Sequence, residues 1–161
     1  MPVSRLDASE RLIDEVGAFL RRTRASSILV AQSCGLQVTH VQLLFALRRL
    51  GESRVATLAE TQLVDPSVAS RQVAGLEKLG LVERRSDPED ARAALVSLTE
   101  KGHAKLGEVR RRHREVVTAA LADWPVERVT RLTDDLSAFV VASGPVYDEL
   151  AGERAGILEV V

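Results

Sequence analysis

Aromatic residues, cysteine and long apolar runs are all scarce in this sequence. Aromatic side chains make up 3% of the 161 residues, so a core must be built mainly from leucine, valine and alanine. The one cysteine, Cys34, excludes an intrachain disulfide and is typical of a reducing cytoplasm. No apolar run is long enough to span a bilayer, and the N-terminus lacks the apolar core of a signal peptide. We therefore expect a cytoplasmic protein with no membrane partner.

Motifs typical of enzymes and metal sites are absent as well. The sequence contains no glycine-rich phosphate loop, no nucleophile motif and no paired metal ligands. The three histidines, His40, His103 and His113, are far apart and match no metal-ligand spacing. We predict that the protein is not an enzyme and that it binds neither a metal nor a cofactor.

The formal net charge of −1 hides a basic part and an acidic part. Residues 101–114 carry six Lys or Arg against one Glu, whereas residues 123–161 carry three Arg against eight acids. The near-neutral total argues against a simple polycationic nucleic-acid binder, although it does not show how the charges are distributed. The arginine-rich run at 110–114 would point all the way round a helix, so we interpret it as a solvated helix with ion pairs.

The middle of the chain carries a series of signals for helix ends. Thr57 and Glu60 have the spacing of a capping box, which predicts a helix start. Asp65 followed by Pro66 predicts the start of the next helix, since aspartate can cap and proline lacks an N–H that would have no partner there. Gly80 predicts a left-handed residue after the end of that helix. A short helix, a tight turn and a longer helix before a hairpin indicate a winged helix-turn-helix.

The second helix of this unit has a core face and an outward face. Ala69, Val73 and Leu76 repeat at helical spacing and predict the core face. The candidate DNA contacts on the opposite face are Ser67, Val68, Ser70 and Arg71. The serines can contact phosphates or base edges, the valine a thymine methyl, and the arginine a guanine or a phosphate. The alternative is an ordinary solvent-exposed face, although such faces usually carry more Lys and Glu.

Two strand-like runs, Leu81–Arg85 and Arg92–Leu98, predict a hairpin whose long acidic tip projects as a wing. Its candidate DNA contacts are Arg84, Arg85, Asp90 and Arg92. An arginine at a wing tip suits the negative potential of a narrow minor groove, and Asp90 is placed to orient Arg92. The alternative is a surface ion pair worth at most about 1 kcal/mol.

Long amphipathic helices flank the central unit. Apolar residues repeat at helical spacing from Leu12 to Leu20, in a helix predicted to run to about Gln32. A capping signal at Thr39–Gln42 precedes an apolar helix, Thr99 is predicted to cap a long helix, and Ser143–Pro145 is predicted to break the last one. Apolar faces of this kind need a partner. We predict that the partner is a second copy of the chain.

The run LVERRSDPEDARAALVSLTEKG, preceded by PSVASRQVAGLEKLG, resembles the MarR family of bacterial transcriptional regulators. The family pattern appears as Asp90-Ala-Arg92 in the wing and Val96-Ser-Leu98-Thr99 at the end of the strand. The resemblance implies a homodimer with a winged helix-turn-helix in each lobe, bound to double-stranded DNA at a palindromic operator. It also implies repression that is released by a small-molecule effector. The effector would bind in a pocket between the lobe and the flanking helices.

These observations give one domain organisation and one main function. We expect a single MarR-like domain at 1–161, a DNA-binding lobe at 36–100, and dimerisation helices at 5–34 and 101–161. The expected function is sequence-specific regulation of transcription, and the alternative is a winged-helix module that binds a protein and never DNA. Oxidant sensing by Cys34 is the less favoured interpretation of that residue, because a lone cysteine is often a small core residue.

Overall fold

The computed structural model describes residues 4–90 and 93–158. In chain order the elements are α1 (Arg5–Ser33), α2 (Val38–Leu50), β1 (Ser53–Arg54), α3 (Val55–Gln62), α4 (Pro66–Lys78), β2 (Val82–Ser86), β3 (Ala94–Leu98), α5 (Glu100–Ala120) and α6 (Val126–Leu158). The strands form an antiparallel sheet in the order β1-β3-β2. A first compact unit ends at Val116 and a second begins at Val117. The predicted fold class, mainly helical with a small β-hairpin wing, is confirmed.

The core of the first unit surrounds α2, as the apolar character of that helix predicts. Leu43 and Leu44 of α2 are completely buried and belong to one cluster with Leu58 of α3, Leu76 of α4 and Val96 of β3. Burial of each such side chain stabilises the fold by about 1.5–3 kcal/mol. The core therefore holds α3, α4 and the sheet in a fixed arrangement around α2.

Both predicted ends of α4 are confirmed. Asp65 is the N-cap residue, and its Oδ1 accepts a hydrogen bond from the Ser67 N–H at 2.7 Å, with Pro66 in the first turn. Gly80 follows the helix at φ +70°, a left-handed conformation that glycine adopts without strain. The Leu81 N–H then donates back to Leu76 O at 2.9 Å, which closes the helix.

The two capping boxes predicted from the sequence are wrong. α3 begins two residues before Thr57–Glu60 and α2 begins one residue before Thr39–Gln42. The N-cap residues are Arg54 and Gln37, and neither caps through its side chain. At α3 the reason is tertiary: the chain enters the helix directly from β1, so the strand fixes the start.

The sheet contains a strand that the sequence pattern did not predict. β1 pairs with β3 through the partners Ser53↔Val96, and two residues are too few to show a periodic pattern. The predicted hairpin is confirmed: β2 lies one residue later than the expected run, and β3 starts two residues later and ends at the same residue.

The predicted break of the last helix at Ser143–Pro145 is wrong, since α6 continues through Pro145. The carbonyl that loses its donor belongs to Val141, which is 77% exposed, so water can take the place of the missing N–H.

The first and last helices, α1 and α6, expose many large apolar side chains. On α1 the exposed large side chains are Leu6, Leu12, Ile13, Phe19, Leu20, Ile28 and Leu29. On α6 they are Val126, Leu132, Leu136, Phe139, Val140, Val141 and Val146. Among the described residues no single helix is long and apolar enough to cross a membrane, and α1 with α2 passes that test only as a pair bent by 92°.

The turn between α3 and α4 contains a strained residue, Leu63, at φ 53° with 94% of its surface exposed. Such a left-handed conformation costs a residue with a Cβ about 1–2 kcal/mol, and the exposed side chain repays little of it. Replacing Leu63 by Gly is therefore expected to raise the free energy of unfolding by about 0.5–1 kcal/mol, after the greater entropy of unfolded glycine is included. Chemical denaturation measures this change.

Leu79 is the matched control for this substitution. It is also an exposed leucine at a helix C-cap, but its φ is −80°, an ordinary value. Leu79→Gly relieves no strain, so it should lower the stability. Equal effects of the two substitutions would show that the conformation of Leu63 is not strained.

Candidate nucleic-acid interface

Helix α4 has the two faces that the sequence predicts. Ala69, Val73 and Leu76 are completely buried against the rest of the first unit. On the other side Ser67 and Arg71 are exposed, and Val68 and Ser70 are half-buried. We call Ser67, Val68, Ser70 and Arg71 the reading face. The structure brings these residues together on one accessible surface.

The first turn of α4 carries a carboxylate at its tip. Hydrogen bonds from the Ser67 hydroxyl and backbone N–H lower the pKa of Asp65, and the charge of Arg71 lowers it further. The cap therefore stays ionised well into the acid range. It orders the start of the reading face because it holds the Ser67 hydroxyl and N–H together.

Arg84 lies against α4 and does not project from the wing. Its Nη2 donates to Ser70 O at 3.3 Å. Its Nε lies 3.3 Å from Glu77 Oε2, a distance of charge attraction without the geometry of a hydrogen bond. Through Arg84, strand β2 therefore contacts α4 at Ser70 and at Glu77, C-terminal to the first turn of the helix. This position suits a role in supporting the reading face.

Arg85 is exposed at the wing and forms a bidentate pair with Glu52. Its Nε donates to Glu52 Oε1 at 2.6 Å, and its Nη2 donates to the other carboxylate oxygen. These hydrogen bonds raise the pKa of Arg85 above its already high ordinary value. A DNA phosphate would have to compete with Glu52 for this guanidinium.

The base of the wing depends on Asp87, which was not among the residues predicted from the sequence. Asp87 is buried, and its carboxylate accepts the Arg54 Nε at 2.5 Å and the Glu89 N–H at 2.9 Å. Its own N–H donates to Ala93 O at 3.0 Å across the hairpin. The hydrogen bond from Glu89 and the pair with Arg54 lower the pKa of Asp87. The sequence signal was available, since an aspartate before proline commonly bonds the N–H two residues on.

The remaining wing prediction concerns Asp90 and Arg92. Asp90 is exposed, and its carbonyl accepts the Ala93 N–H at 2.9 Å. Arg92 lies outside the described residues. Its place in a minor groove and its orientation by Asp90 stay predictions.

His40 of α2 lies against Gly75 of α4, where a Cβ on the glycine would be 2.8 Å from His40 Nε2. Burial lowers the pKa of His40 from its ordinary 6.5, because the charged ring loses solvation. The unfolded chain therefore binds a proton here at higher pH than the folded chain. The stability that the fold gains from burying neutral His40 is fully present above about pH 6.5 and decreases as the pH falls below that value.

We expect the thermal midpoint to decrease as the pH is lowered from about 6.5 to about 5.5, and His40→Gln to flatten this dependence. The matched control is His103→Gln, since His103 is exposed on α5. That control should keep the wild-type slope. A wild-type slope in His40→Gln would contradict the assignment to His40.

Cys34 is buried at the C-cap of α1, 5% exposed. Its carbonyl accepts Lys105 Nζ at 3.3 Å, and Lys105 also bonds the Glu108 carboxylate at 2.7 Å. The pair with Lys105 and a hydrogen bond from Cys34 lower the pKa of Glu108. Cys34 thus packs in the core as a small residue.

Among the described residues no group of three or more His, Cys, Asp or Glu could hold a metal ion.

Two open grooves lie within the first unit. One of about 740 Å³ runs between α2 and α3 and is lined by Gln42, Phe45, Ala46, Arg48, Arg49, Thr61 and Gln62. The other, of about 590 Å³, runs between α1 and α5 and is lined by Ser26, Leu29, Val30, Ser33, Arg112, Glu115 and Val116. The second lies between α1 and α5, two of the flanking helices beside which the family resemblance implies an effector pocket.

The family model described as MarR family matches residues 35–93. The HTH-type transcriptional regulator YxaD of Bacillus subtilis is 32% identical over 113 residues, which are 70% of this chain and 79% of that protein. The HTH-type transcriptional repressor NicR of Pseudomonas putida is 37% identical over 97 residues, 58% of this chain and 61% of that protein. The apo form of MarR from E. coli has the same fold, with a TM-score of 0.70 at 20% identity over 81% of this chain and 95% of that chain. The chain therefore belongs to the MarR family of HTH-type transcriptional regulators.

Proposed function

We propose that the protein is a homodimeric, sequence-specific DNA-binding repressor that reads a palindromic operator with α4 and the wing. The observation that carries the proposal is the reading face, a small polar surface with one long cation on a helix whose other face is completely buried. Small side chains allow the helix to approach the floor of a major groove, and Arg71 can pair with a guanine. Arg85 and Arg92 of the wing are the proposed phosphate or minor-groove contacts.

The proposed dimer rests on the exposed apolar faces of α1 and α6. α1 is 29 residues long, yet its buried residues are Val30 and Ala31, near its C-terminus. Apolar surface of this extent marks an association surface. A second copy is the economical partner, since it buries the same faces of both chains and produces the two-fold symmetry of a palindrome. We assign dimerisation to the segments 5–34 and 101–161, and DNA binding to the lobe at 36–100.

Repression and release by an effector are the finer parts of the proposal. The matching relative NicR is named a repressor, and a dimer across an operator blocks transcription by occupying it. A small molecule would release the DNA by favouring a dimer whose reading helices no longer match the half-site spacing.

Selection from random duplexes with the purified chain, followed by titration of the selected sequence, tests the proposal. We expect palindromic sequences with half-sites about one helical turn apart, bound by one dimer and resistant to competition by random DNA. Affinity should fall steeply with salt, because phosphate contacts release counterions. Enrichment of no sequence, with binding that random DNA abolishes, would contradict the proposed function.

A further inference from the structure

The residues that directly follow α4 are hydrogen-bonded to the start of α5 through three successive carbonyl groups. Lys101 Nζ donates to Leu79 O at 2.8 Å. The Thr99 hydroxyl donates to Gly80 O at 2.7 Å, and the Thr99 N–H donates to Leu81 O at 3.1 Å. Leu79 is the C-cap residue of α4, and a carbonyl at a helix end has no partner within its own helix, so Lys101 of α5 completes the end of α4. Thr99, which directly precedes α5, holds the two residues that follow this cap. We call these three hydrogen bonds the α4–α5 clamp.

The clamp is tighter than an ordinary helix cap requires. The Thr99 hydroxyl also accepts the Gly102 N–H at 3.0 Å, so one side chain caps α5 and holds α4. A Cβ on Gly102 would lie 2.0 Å from Leu81 O, which means that the two backbones are in direct contact. Capping alone needs only the acceptor of Thr99. The bond from Lys101 to Leu79 adds a connection that serves α4.

α5 is also fastened at a second point. Lys105, one turn after Lys101, donates to the carbonyl of Cys34 at the end of α1. The same face of α5 therefore holds the end of α1 and the end of α4. A change in the angle between α5 and α4 would move the reading face relative to α1, which carries exposed apolar residues.

We propose that Thr99 and Lys101 are positioning residues for DNA recognition, which fix the angle between α4 and α5 and so set the half-site spacing that the dimer accepts. The proposal rests on the proposed dimeric DNA-binding function. The core holds α4 within its lobe, so the lobe and α4 turn together relative to α5. α4 spans about 20 Å, so a rotation of the lobe by about 10° at the clamp moves the tip of the helix by roughly 3 Å. That distance is close to one base pair of DNA, about 3.4 Å.

The test compares operators whose half-site spacing is native, shortened by one base pair or lengthened by one base pair. Lys101→Met removes the donor and keeps much of the side-chain length, whereas Lys101→Arg keeps a donor. Thr99→Val and Thr99→Ser form the equivalent pair. Arg114→Met is the matched control, since it removes one exposed positive charge from the same helix.

We expect the wild type to lose at least about tenfold in affinity when the spacing changes by one base pair, because the wrong spacing forfeits about 1.4 kcal/mol or more of contacts. In Lys101→Met and Thr99→Val this ratio should fall to about threefold or less, while Lys101→Arg, Thr99→Ser and Arg114→Met keep it. A uniform loss on all spacings, or failure of the conservative variants to restore the ratio, would overturn the proposal.

A second measurement on the free protein separates this proposal from the function on which it rests. Spin labels are placed at Ser67→Cys and Arg110→Cys, both exposed, in a Cys34→Ser background diluted with unlabelled chain. Pulsed electron resonance should give a narrow α4–α5 distance distribution for wild type and Lys101→Arg, and a broad or shifted one for Lys101→Met. An unchanged distribution refutes positioning even if DNA binds. If the distribution broadens in Lys101→Met but the wild type binds no operator, Lys101 positions α4 relative to α5 and the proposed DNA-binding function is contradicted.

Discussion

Replacing Gly102 by alanine is expected to lower the free energy of unfolding by at least about 3 kcal/mol, at the upper end of typical overpacking costs. The added Cβ would lie 2.0 Å from Leu81 O, a distance that real Cβ contacts essentially never show, and 3.0 Å from the carbonyl carbon, which is tighter than most such contacts. The obstructing atoms are backbone, so no rotamer change relieves the clash. For a chain of this size the thermal midpoint should fall by roughly 6–12 °C, which calorimetry measures.

Gly107 provides the matched control for this clash. It lies in the same helix and is exposed, and a Cβ added there would have no atom within 4 Å. Gly107→Ala should therefore raise the stability by up to about 1 kcal/mol, the ordinary helix preference of alanine. If Gly102→Ala were as stable as Gly107→Ala, the close approach of α5 to Leu81 would be wrong, and the α4–α5 clamp with it.

Arg71→Ala is expected to weaken binding to the selected operator by about tenfold to a hundredfold, the range for loss of one arginine–base contact. Arg71 is exposed on α4, about one turn from Ser67, and it is the long cation of the reading face. Binding to random DNA should fall only a few-fold, because a phosphate contact contributes there without regard to sequence. Anisotropy titrations of both duplexes give the specificity ratio.

Lys78→Ala removes the same charge from the same helix outside the reading face, at an exposed position in its last turn. Its effect should be at most about threefold and equal on both duplexes, since a lysine–phosphate contact carries no sequence information. Equal losses from Arg71→Ala and Lys78→Ala, with an unchanged specificity ratio, would mean that Arg71 contributes charge alone.

Features that depend on a few neighbouring residues were predictable from the sequence. The cap at Asp65, the left-handed Gly80 and the start of α5 after Thr99 all follow from local chemistry, and all three are confirmed. The division of α4 into a buried face and an outward face follows from helical periodicity alone. The family resemblance was likewise visible in the wing and in the strand that follows it.

Features set by distant parts of the chain were not predictable. The capping box at Thr57–Glu60 fails because β1, paired with β3, fixes the start of α3. The partners of Arg84 and Arg85 lie on α4 and ahead of β1, at separations that no local pattern contains. The sequence therefore identified the cations of the wing as candidates, whereas the structure shows which carboxylates and carbonyls engage Arg84 and Arg85.

DNA cleavage from the tip of α4 would show whether the reading face lies in a groove of the operator. An iron chelate attached at Ser67→Cys, in a Cys34→Ser background, cuts the strands that lie nearest to it. We predict two symmetric clusters of cuts within the selected operator, about 34–36 Å apart, and no such pattern from a chelate at Arg114→Cys on α5. Absent cuts from position 67, or the same cuts from both positions, would contradict the placement of the reading face in a DNA groove.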